Sequence, residues 1–449
     1  MTMTERQPIA LILTDGVGPG EWRHVGETAF AGRCLVERAA LAARHAGIIE
    51  VVFAGDQALP HGLVARLARA GVTVRPTGAA STHVFAGLPP DRPLVVLPVD
   101  TIAEPDAIRA VLTALADGSD GAAAVVLNRV PGPDDTAGPL PDPLMAGFGP
   151  EAVRRIADTR SLTHAVARLT QAGRIDTVST DGAFCRRVEA PEDVPALEHA
   201  YIRRLNGDEY AMTKVLRRQS VYLTRAFLRT SLSPNQITLL SLAVSVPAAL
   251  GVAAGGYWIP LAGAALYYLS TLLDCCDGEV ARCSFRSSAF GCWLETASDY
   301  LSTALIFGGV VAGVVIDPVS ANDRAVAAAG GLATLALILL LSYQRRRVAQ
   351  ADPDAYERIF KSRIGGGRGD ANLMGRFTVW GLQFIKRASV AHVLLFLALV
   401  GQVRVIVYLW TFASVLAVPI ALAVHLALVG GRRAPATPVG IGVERGGLS

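Results

Sequence analysis

Between Asp274 and Asp299 the chain reads DCCDGEVARCSFRSSAFGCWLETASD, which sets Asp274, Asp277, Glu295 and Asp299 among strongly apolar residues. Ionisable groups at membrane depth are costly, and they face a bundle interior or a water-filled cavity where they meet a cation or a substrate. Several carboxylates around one cavity offer hard oxygen donors, the preference of Mg²⁺, which keeps open positions for water and for substrate phosphates. Zinc fits such a donor set poorly. The chemistry implied is metal-assisted work on a phosphate.

At about 100° per residue, Asp274, Asp277, Gly278 and Ala281 share one face of a helix, with Arg282 beside them. Gly291, Glu295 and Asp299 recur at four-residue intervals and form a stripe on a second helix, which the Cys283–Phe290 connection folds back against the first. Two facing helices are then expected to present four carboxylates to one cavity. Gly278 and Ala281 leave room for a ligand to approach the backbone, and the Arg282 guanidinium suits a phosphate. Structural ion pairing between helices is the alternative, but one arginine does not neutralise four acids.

These residues resemble the CDP-alcohol phosphotransferases, whose motif runs D-x2-D-G-x2-A-R-x8-G-x3-D-x3-D. Asp274, Asp277, Gly278, Ala281, Arg282, Gly291 and Asp299 stand at every required interval, and Glu295 replaces the third aspartate with the same charge on a longer arm. The resemblance implies that Asp274, Asp277 and Glu295 hold Mg²⁺ or Mn²⁺, as two ions that Asp299 also borders, and that Asp299 is the base that deprotonates the acceptor hydroxyl. It implies a reaction in which a CDP-linked donor passes its phospho-alcohol to a hydroxyl acceptor and releases CMP, with Asp274, Gly278, Ala281, Arg282 and Gly291 around the CDP. The segment Ser233-Pro234-Asn235-Gln236-Ile237-Thr238 resembles the opening of the family's first membrane helix, which makes Asn235 and Thr238 further nucleotide contacts. Ser-Pro-Asn is also an ordinary helix start.

The elements that must position this motif are apolar helices. Of 449 residues 51% are hydrophobic, the mean hydropathy is +0.39, and the apolar excess lies after about residue 235. Spans are expected at Gln236–Gly255, Ile259–Cys275, Ala289–Ile316, Ala325–Tyr343, Ala388–Gly401 and Val405–Val429, of which the fifth is short for a bilayer. Six crossings match the all-α membrane domain of the family, here 234–430, followed by a tail at 431–449.

Arg217, Arg218, Arg225 and Arg229 precede the first span, Arg345–Arg347 follow the fourth, and Arg432 and Arg433 follow the sixth. The bias predicts a multi-pass protein of the cell membrane with the carboxylates and the N-terminal region on the cytoplasmic side. It also accounts for the net charge of +4 and leaves no reason to invoke nucleic acid. Within 201–233, Lys214, Arg218, Arg225 and Arg229 lie opposite Leu216, Leu223 and Phe227, the pattern of an amphipathic helix resting on the bilayer. The basic connection Arg345–Arg387, with Lys361, Arg363, Gly365–Gly367 and Arg368, either holds a phosphate or carries topological charge.

Residues 1–200 alternate strand-like runs at Ile9–Thr14, Glu50–Ala54, Val72–Arg75, Leu94–Val99 and Ala122–Leu127 with helical stretches such as Cys34–Ala46 and Gly62–Ala70. That predicts a layered, Rossmann-like α/β domain, and Met1–Pro8 lacks the pattern of a signal peptide. Its opening LILTDGVGPGEW places Gly16 and Gly18 after the first strand, as nucleotide-binding loops do. With Ala31–Glu37, Leu97–Asp100 and Val188–Asp193 the region resembles sugar-phosphate nucleotidyltransferases. The resemblance makes Asp100 the first metal ligand, Glu189 the stand-in for the second, and Arg23 the nearest cation to a missing lysine. The domain therefore reads as degenerate, because pyrophosphate release needs that cation.

A nucleotidyltransferase-like domain followed by a CDP-alcohol phosphotransferase resembles the fused inositol-1-phosphate cytidylyltransferase and di-myo-inositol phosphate phosphate synthase family. The resemblance implies CDP-inositol or CDP-diacylglycerol as donor, inositol phosphate as acceptor, and a homodimer. A bifunctional enzyme that also makes its donor and a non-catalytic membrane scaffold remain the alternatives. The six cysteines give no disulfide framework, since Cys275, Cys276, Cys283 and Cys292 face the reducing side.

Overall fold

Burial along the first strand alternates between two cores. Ile9, Leu11 and Leu13 cluster with Leu94, Val96, Ala123 and Val125, whereas Ala10 and Ile12 cluster with Val95, Leu97, Ala124 and Val126. Strands apolar on both faces belong inside a sheet covered on both sides. The computed structural model describes residues 7–14, 27–54, 59–76, 84–85, 87–118, 123–127, 143–179, 182–206, 211–316, 320, 322–349 and 387–430. The loop with Gly16, Gly18 and Arg23 lies outside them, as does the connection bearing Lys361, Arg363 and Arg368.

The strands are β1 (Ile9–Leu13), β2 (Ala29–Phe30), β3 (Arg33–Cys34), β4 (Glu50–Ala54), β5 (Thr73–Pro76), β6 (Leu94–Pro98), β7 (Thr101–Ala103), β8 (Ala123–Leu127), β9 (Pro143–Phe148), β10 (Ile175–Thr177) and β11 (Cys185–Arg187). Seven of them form a sheet in the order β10-β8-β9-β6-β1-β4-β5. Pairing is parallel except where β9 runs antiparallel to β6 and β8. Helices α1 (Leu35–His45), α2 (His61–Arg69), α3 (Pro105–Asp117), α4 (Pro150–Ile156) and α5 (Leu162–Gln171) connect the strands. The five expected strands stand within a residue or so of their sequence positions, whereas β9 and β10 of the sheet and the short β2, β3, β7 and β11 are not revealed by periodicity.

Helix α6 (Val194–Leu205) and helix α7 (Ala211–Leu228) follow the sheet. The chain then forms α8 (Pro234–Ala253), α9 (Trp258–Cys283), α10 (Ala289–Ile316), α11 (Asp323–Ala349), α12 (Arg387–Leu399) and α13 (Val405–Gly430). Five of these six are long and apolar enough to cross a membrane. The exception is α12, whose 13 residues rise only about 20 Å against a hydrocarbon core of about 30 Å. Among the described residues the all-α half thus shows six apolar helices, five of them membrane-length.

Two compact units divide the chain. One is Met1–Asp208 with Ser220–Pro234 and Cys276–Ser288; the other is Glu209–Gln219, Asn235–Cys275 and Ala289–Ser449. The α/β unit therefore extends past residue 200 and takes in the end of α7 and the last turns of α9. Helix α7 does not behave as a simple surface helix: Leu216, Ser220, Val221 and Thr224 are fully buried, while Leu223 and Phe227 are only half-buried. Its hydroxyl-bearing stripe faces protein because it serves a buried carboxylate, described below.

In the helical unit, Trp410 Nε1 donates to Thr334 Oγ1 at 3.0 Å and Gln344 Nε2 to the Ala421 carbonyl at 2.8 Å, joining α11 to α13. Helices α8 and α10 touch backbone to backbone at Gly309, where an added Cβ would collide with the Ala249 carbonyl, an approach that small residues permit in apolar bundles. We expect Gly309→Ala to lower stability by about 1–3 kcal/mol, measured by thermal unfolding in detergent; an unchanged melt would show that the two helices separate at no cost.

Candidate active site

The acidic residues of α9 and α10 meet a cation from α12. Arg387 Nη1 stands 2.8 Å from Asp274 Oδ1 and 2.8 Å from Asp299 Oδ1. Its Nη2 donates to Ser270 Oγ at 2.7 Å, and the guanidinium lies 6.0 Å from the Tyr267 ring centroid. Ser270 is itself fixed, since it also bonds Ser245 Oγ at 2.7 Å and the Ser241 carbonyl at 2.8 Å. Arg387 and Asp274 are largely buried, at 9% and 16% side-chain exposure, while Asp299 is open at 47%. An accessible carboxylate beside a sheltered one is a workable division between a proton acceptor and an electrostatic anchor.

Sequence spacing thus brought Asp274 and Asp299 together but missed Arg387, which is 88 residues beyond Asp299. Its one signal is position: a guanidinium at the first residue of an apolar helix needs a partner. Glu295 and Gly291 are half-buried on α10, as is Asn235 at the start of α8, and Thr238 is buried. Among the described residues no group of three or more Asp, Glu, His or Cys side chains stands close enough to hold a metal ion. Of the four carboxylates in the motif, Asp274 and Asp299 converge on the Arg387 guanidinium.

The middle of the motif, Asp277 to Arg282, lies in the α/β unit. Asp277 is buried and its Oδ1 accepts from the Gly278 amide at 2.5 Å; Gly278 and Ala281 are half-buried and Arg282 is exposed. Glu279, which spacing alone did not single out, has no exposed surface. It accepts from Ser220 Oγ at 2.6 Å, Thr224 Oγ1 at 2.5 Å and Asn206 Nδ2 at 3.0 Å. Side-chain donors of this kind are what a buried carboxylate requires.

In the sheet region Asp100 is buried and pairs with Arg187 of β11 at 3.6 Å. Arg187 Nη2 also donates to the Pro143 carbonyl at 2.7 Å. Glu189 is exposed two residues later. A protein cation thus stands beside the carboxylate that the nucleotidyltransferase resemblance makes a metal ligand.

A bifunctional IPC transferase and DIPP synthase from Archaeoglobus fulgidus is 32% identical over 137 residues, 30% of this chain and 27% of that protein's own length. Among solved structures, a UDP-glucose pyrophosphorylase complexed with UDP-glucose matches 44% of this chain and 99% of its own at 12% identity and a TM-score of 0.33. The phosphatidylinositol phosphate synthase of Mycobacterium tuberculosis with CDP-DAG bound matches 49% of this chain and 99% of its own at 21% identity and a TM-score of 0.32. The family model for CDP-alcohol phosphatidyltransferase matches residues 231–359, the stretch that holds Asn235, Thr238 and every acid from Asp274 to Asp299. That segment, with its acid-lined α9 and α10, is a CDP-alcohol phosphatidyltransferase domain.

Proposed function

We propose that this chain transfers a phospho-alcohol from a CDP-linked donor to an acceptor hydroxyl and releases CMP. The observation that carries the reading is the convergence of Asp274 and Asp299, two acids of the segment that the family model matches, on one positive group, Arg387. The acceptor oxygen forms a bond to the phosphorus that bears the donor alcohol, the bond from that phosphorus to the CMP oxygen breaks, and Asp299 takes the acceptor proton. Arg282 is placed by the motif for a donor phosphate.

The donor chemistry suits a divalent metal, since every residue the motif offers is a carboxylate, and two of the acids, Asp274 and Asp299, already converge on a cation, the Arg387 guanidinium. Asp274, Asp277 and Glu295 are the residues that would hold Mg²⁺ or Mn²⁺, as two ions. Bound there, the metal would neutralise charge developing on the pyrophosphate. The family resemblance suggests inositol phosphate as acceptor, with CDP-inositol or CDP-diacylglycerol as donor. The positive-inside bias favours a cytoplasmic active site, and the family resemblance a homodimer.

The test is divalent-metal-dependent CMP release by the full chain in detergent, comparing the two donors with inositol phosphate as acceptor. Release with one donor and not the other assigns the donor class; no release with either removes the reading. Within this scheme Glu295→Asp, which restores the shorter arm of the family motif, should keep or raise turnover, whereas Glu295→Ala should lower it by about tenfold or more. Equal rates for the two variants would remove Glu295 from the site.

A second reading, in which the α/β unit also makes the donor, rests on the bifunctional relative. CTP-dependent pyrophosphate release with inositol phosphate would support it. The Asp100–Arg187 pair argues for the opposite outcome.

A further inference from the structure

The last turn of α9 ends in a strained residue. Phe285 has φ 54°, while the Arg286 amide donates to the Ala281 carbonyl at 2.9 Å and the Phe285 amide to the Arg282 carbonyl at 3.4 Å. This is a helix stop that normally places glycine at the left-handed position, and a bulky residue there persists only when its surroundings over-determine it. Here the surroundings are α1: His45 stacks on the Phe285 ring at 5.1 Å, and the Arg38 guanidinium lies 5.1 Å from its centroid.

Arg38 is the centre of the arrangement. It is 2% exposed, it donates through Nη1 to the Cys283 carbonyl at 2.8 Å, and it lies 5.1 Å from the Phe30 ring and 4.3 Å from the Tyr201 ring. Among the described residues its Nε and Nη2 meet no hydrogen-bond acceptor, so the aromatic faces offset part of the cost of burying the charge. Arg33 adds a bond from Nε to the Ser284 carbonyl at 3.1 Å. These are carbonyls that a helix end leaves without internal partners, where cations are favoured. One turn earlier, Glu279 is tied to α6 and α7 through Asn206, Ser220 and Thr224.

We propose that Arg38, Phe285 and Glu279 form a clamp by which the α/β unit sets the turn Gly278–Arg282 for binding the donor nucleotide, with Arg38 as its main positioning residue. The turn is held at both ends, Glu279 on one side and the Cys283 and Ser284 carbonyls on the other. The α/β unit thereby serves the transfer reaction whether or not it has chemistry of its own. This inference rests on the transferase reading above.

The test uses the full chain with Arg38→Met, Arg38→Lys and Phe285→Gly, and reads cysteine alkylation by mass spectrometry alongside donor kinetics. Cys283 is buried, as is Cys185 in the same unit, whose thiol burial pushes up to about 12, and Cys292 is exposed. We expect Arg38→Met to raise Cys283 alkylation and the donor KM each by about tenfold, with kcat changed less than about threefold and Cys185 still protected. Arg38→Lys should recover part of both effects.

Phe285→Gly separates positioning from stability. Glycine suits the left-handed site, so a merely structural Phe285 predicts an equal or higher melting temperature and an unchanged KM, whereas the clamp predicts a raised KM despite that melt. Protected Cys283 in Arg38→Met, parallel labelling of Cys185, or an unchanged KM in all three variants would overturn the proposal. If Arg38→Met does not accumulate, Arg38→Lys and Phe285→Gly carry the same comparison. Absence of CMP release by the unaltered chain would fail the transferase reading instead, and the alkylation pattern would then decide alone whether the turn is clamped.

Discussion

Asp299→Asn is expected to cut CMP release by roughly a hundred- to ten-thousand-fold, the range for losing a positioned general base. Asparagine has the same shape and keeps an oxygen to accept from Arg387, so the pair seen at 2.8 Å retains a hydrogen bond while the proton acceptor disappears. Asp299 is the more open of the two convergent acids, at 47% against 16%, which suits the role of base that the family resemblance gives it. The loss should fall on kcat, with donor KM within a few-fold, because an interaction made only in the transition state was removed. Turnover within tenfold of the unaltered chain would place the base elsewhere.

The α/β fold was legible because its strands are apolar on two faces and short. Leu94–Pro98 and Ala123–Leu127 were read within a residue of where they stand, since a buried central strand is an unbroken apolar run bounded by turns. Strand β9, Pro143–Phe148, was missed for a physical reason. Its sequence PLMAGF has proline and glycine at strand positions, and its place comes from pairing with β6 and β8, which no local pattern encodes.

The site was legible where contacts are local in sequence and hidden where they are not. A four-residue rhythm found Gly291, Glu295 and Asp299 because one helix carries them. Arg387 arrives on another helix, and Glu279 looks from its composition like any charged helix residue until the hydroxyls of α7 close around it. The same blindness explains α7, which was read as a bilayer-surface helix from its basic face. Of the stripe opposite that face, Leu216 is buried and Leu223 and Phe227 are half-buried, while Ser220 and Thr224 of the same helix are buried in protein, and serine or threonine at a buried helix position signals a polar partner rather than lipid.

Arg387→Gln should destabilise the helical unit by about 3 kcal/mol in EDTA, and added Mg²⁺ should return most of that loss. Removing one member of a buried charge group leaves the others uncompensated and costs about 3–5 kcal/mol; the 47% exposure of Asp299 puts this site at the lower end. With the guanidinium gone, Asp274 and Asp299 face each other as like charges, and a divalent cation supplies what the arginine did. A ligand bound only by the folded state at about a hundred times its Kd contributes about 2.7 kcal/mol, enough to close the gap. Asp299→Asn on the Arg387→Gln background should likewise recover stability in EDTA, because neighbouring charge changes are not additive. Thermal unfolding of the four proteins with and without metal decides the matter. If Arg387→Gln loses the same stability in EDTA and in Mg²⁺, the convergent acids do not take a metal at the point where the arginine sits, and the assignment of Asp274 as a ligand falls with that result.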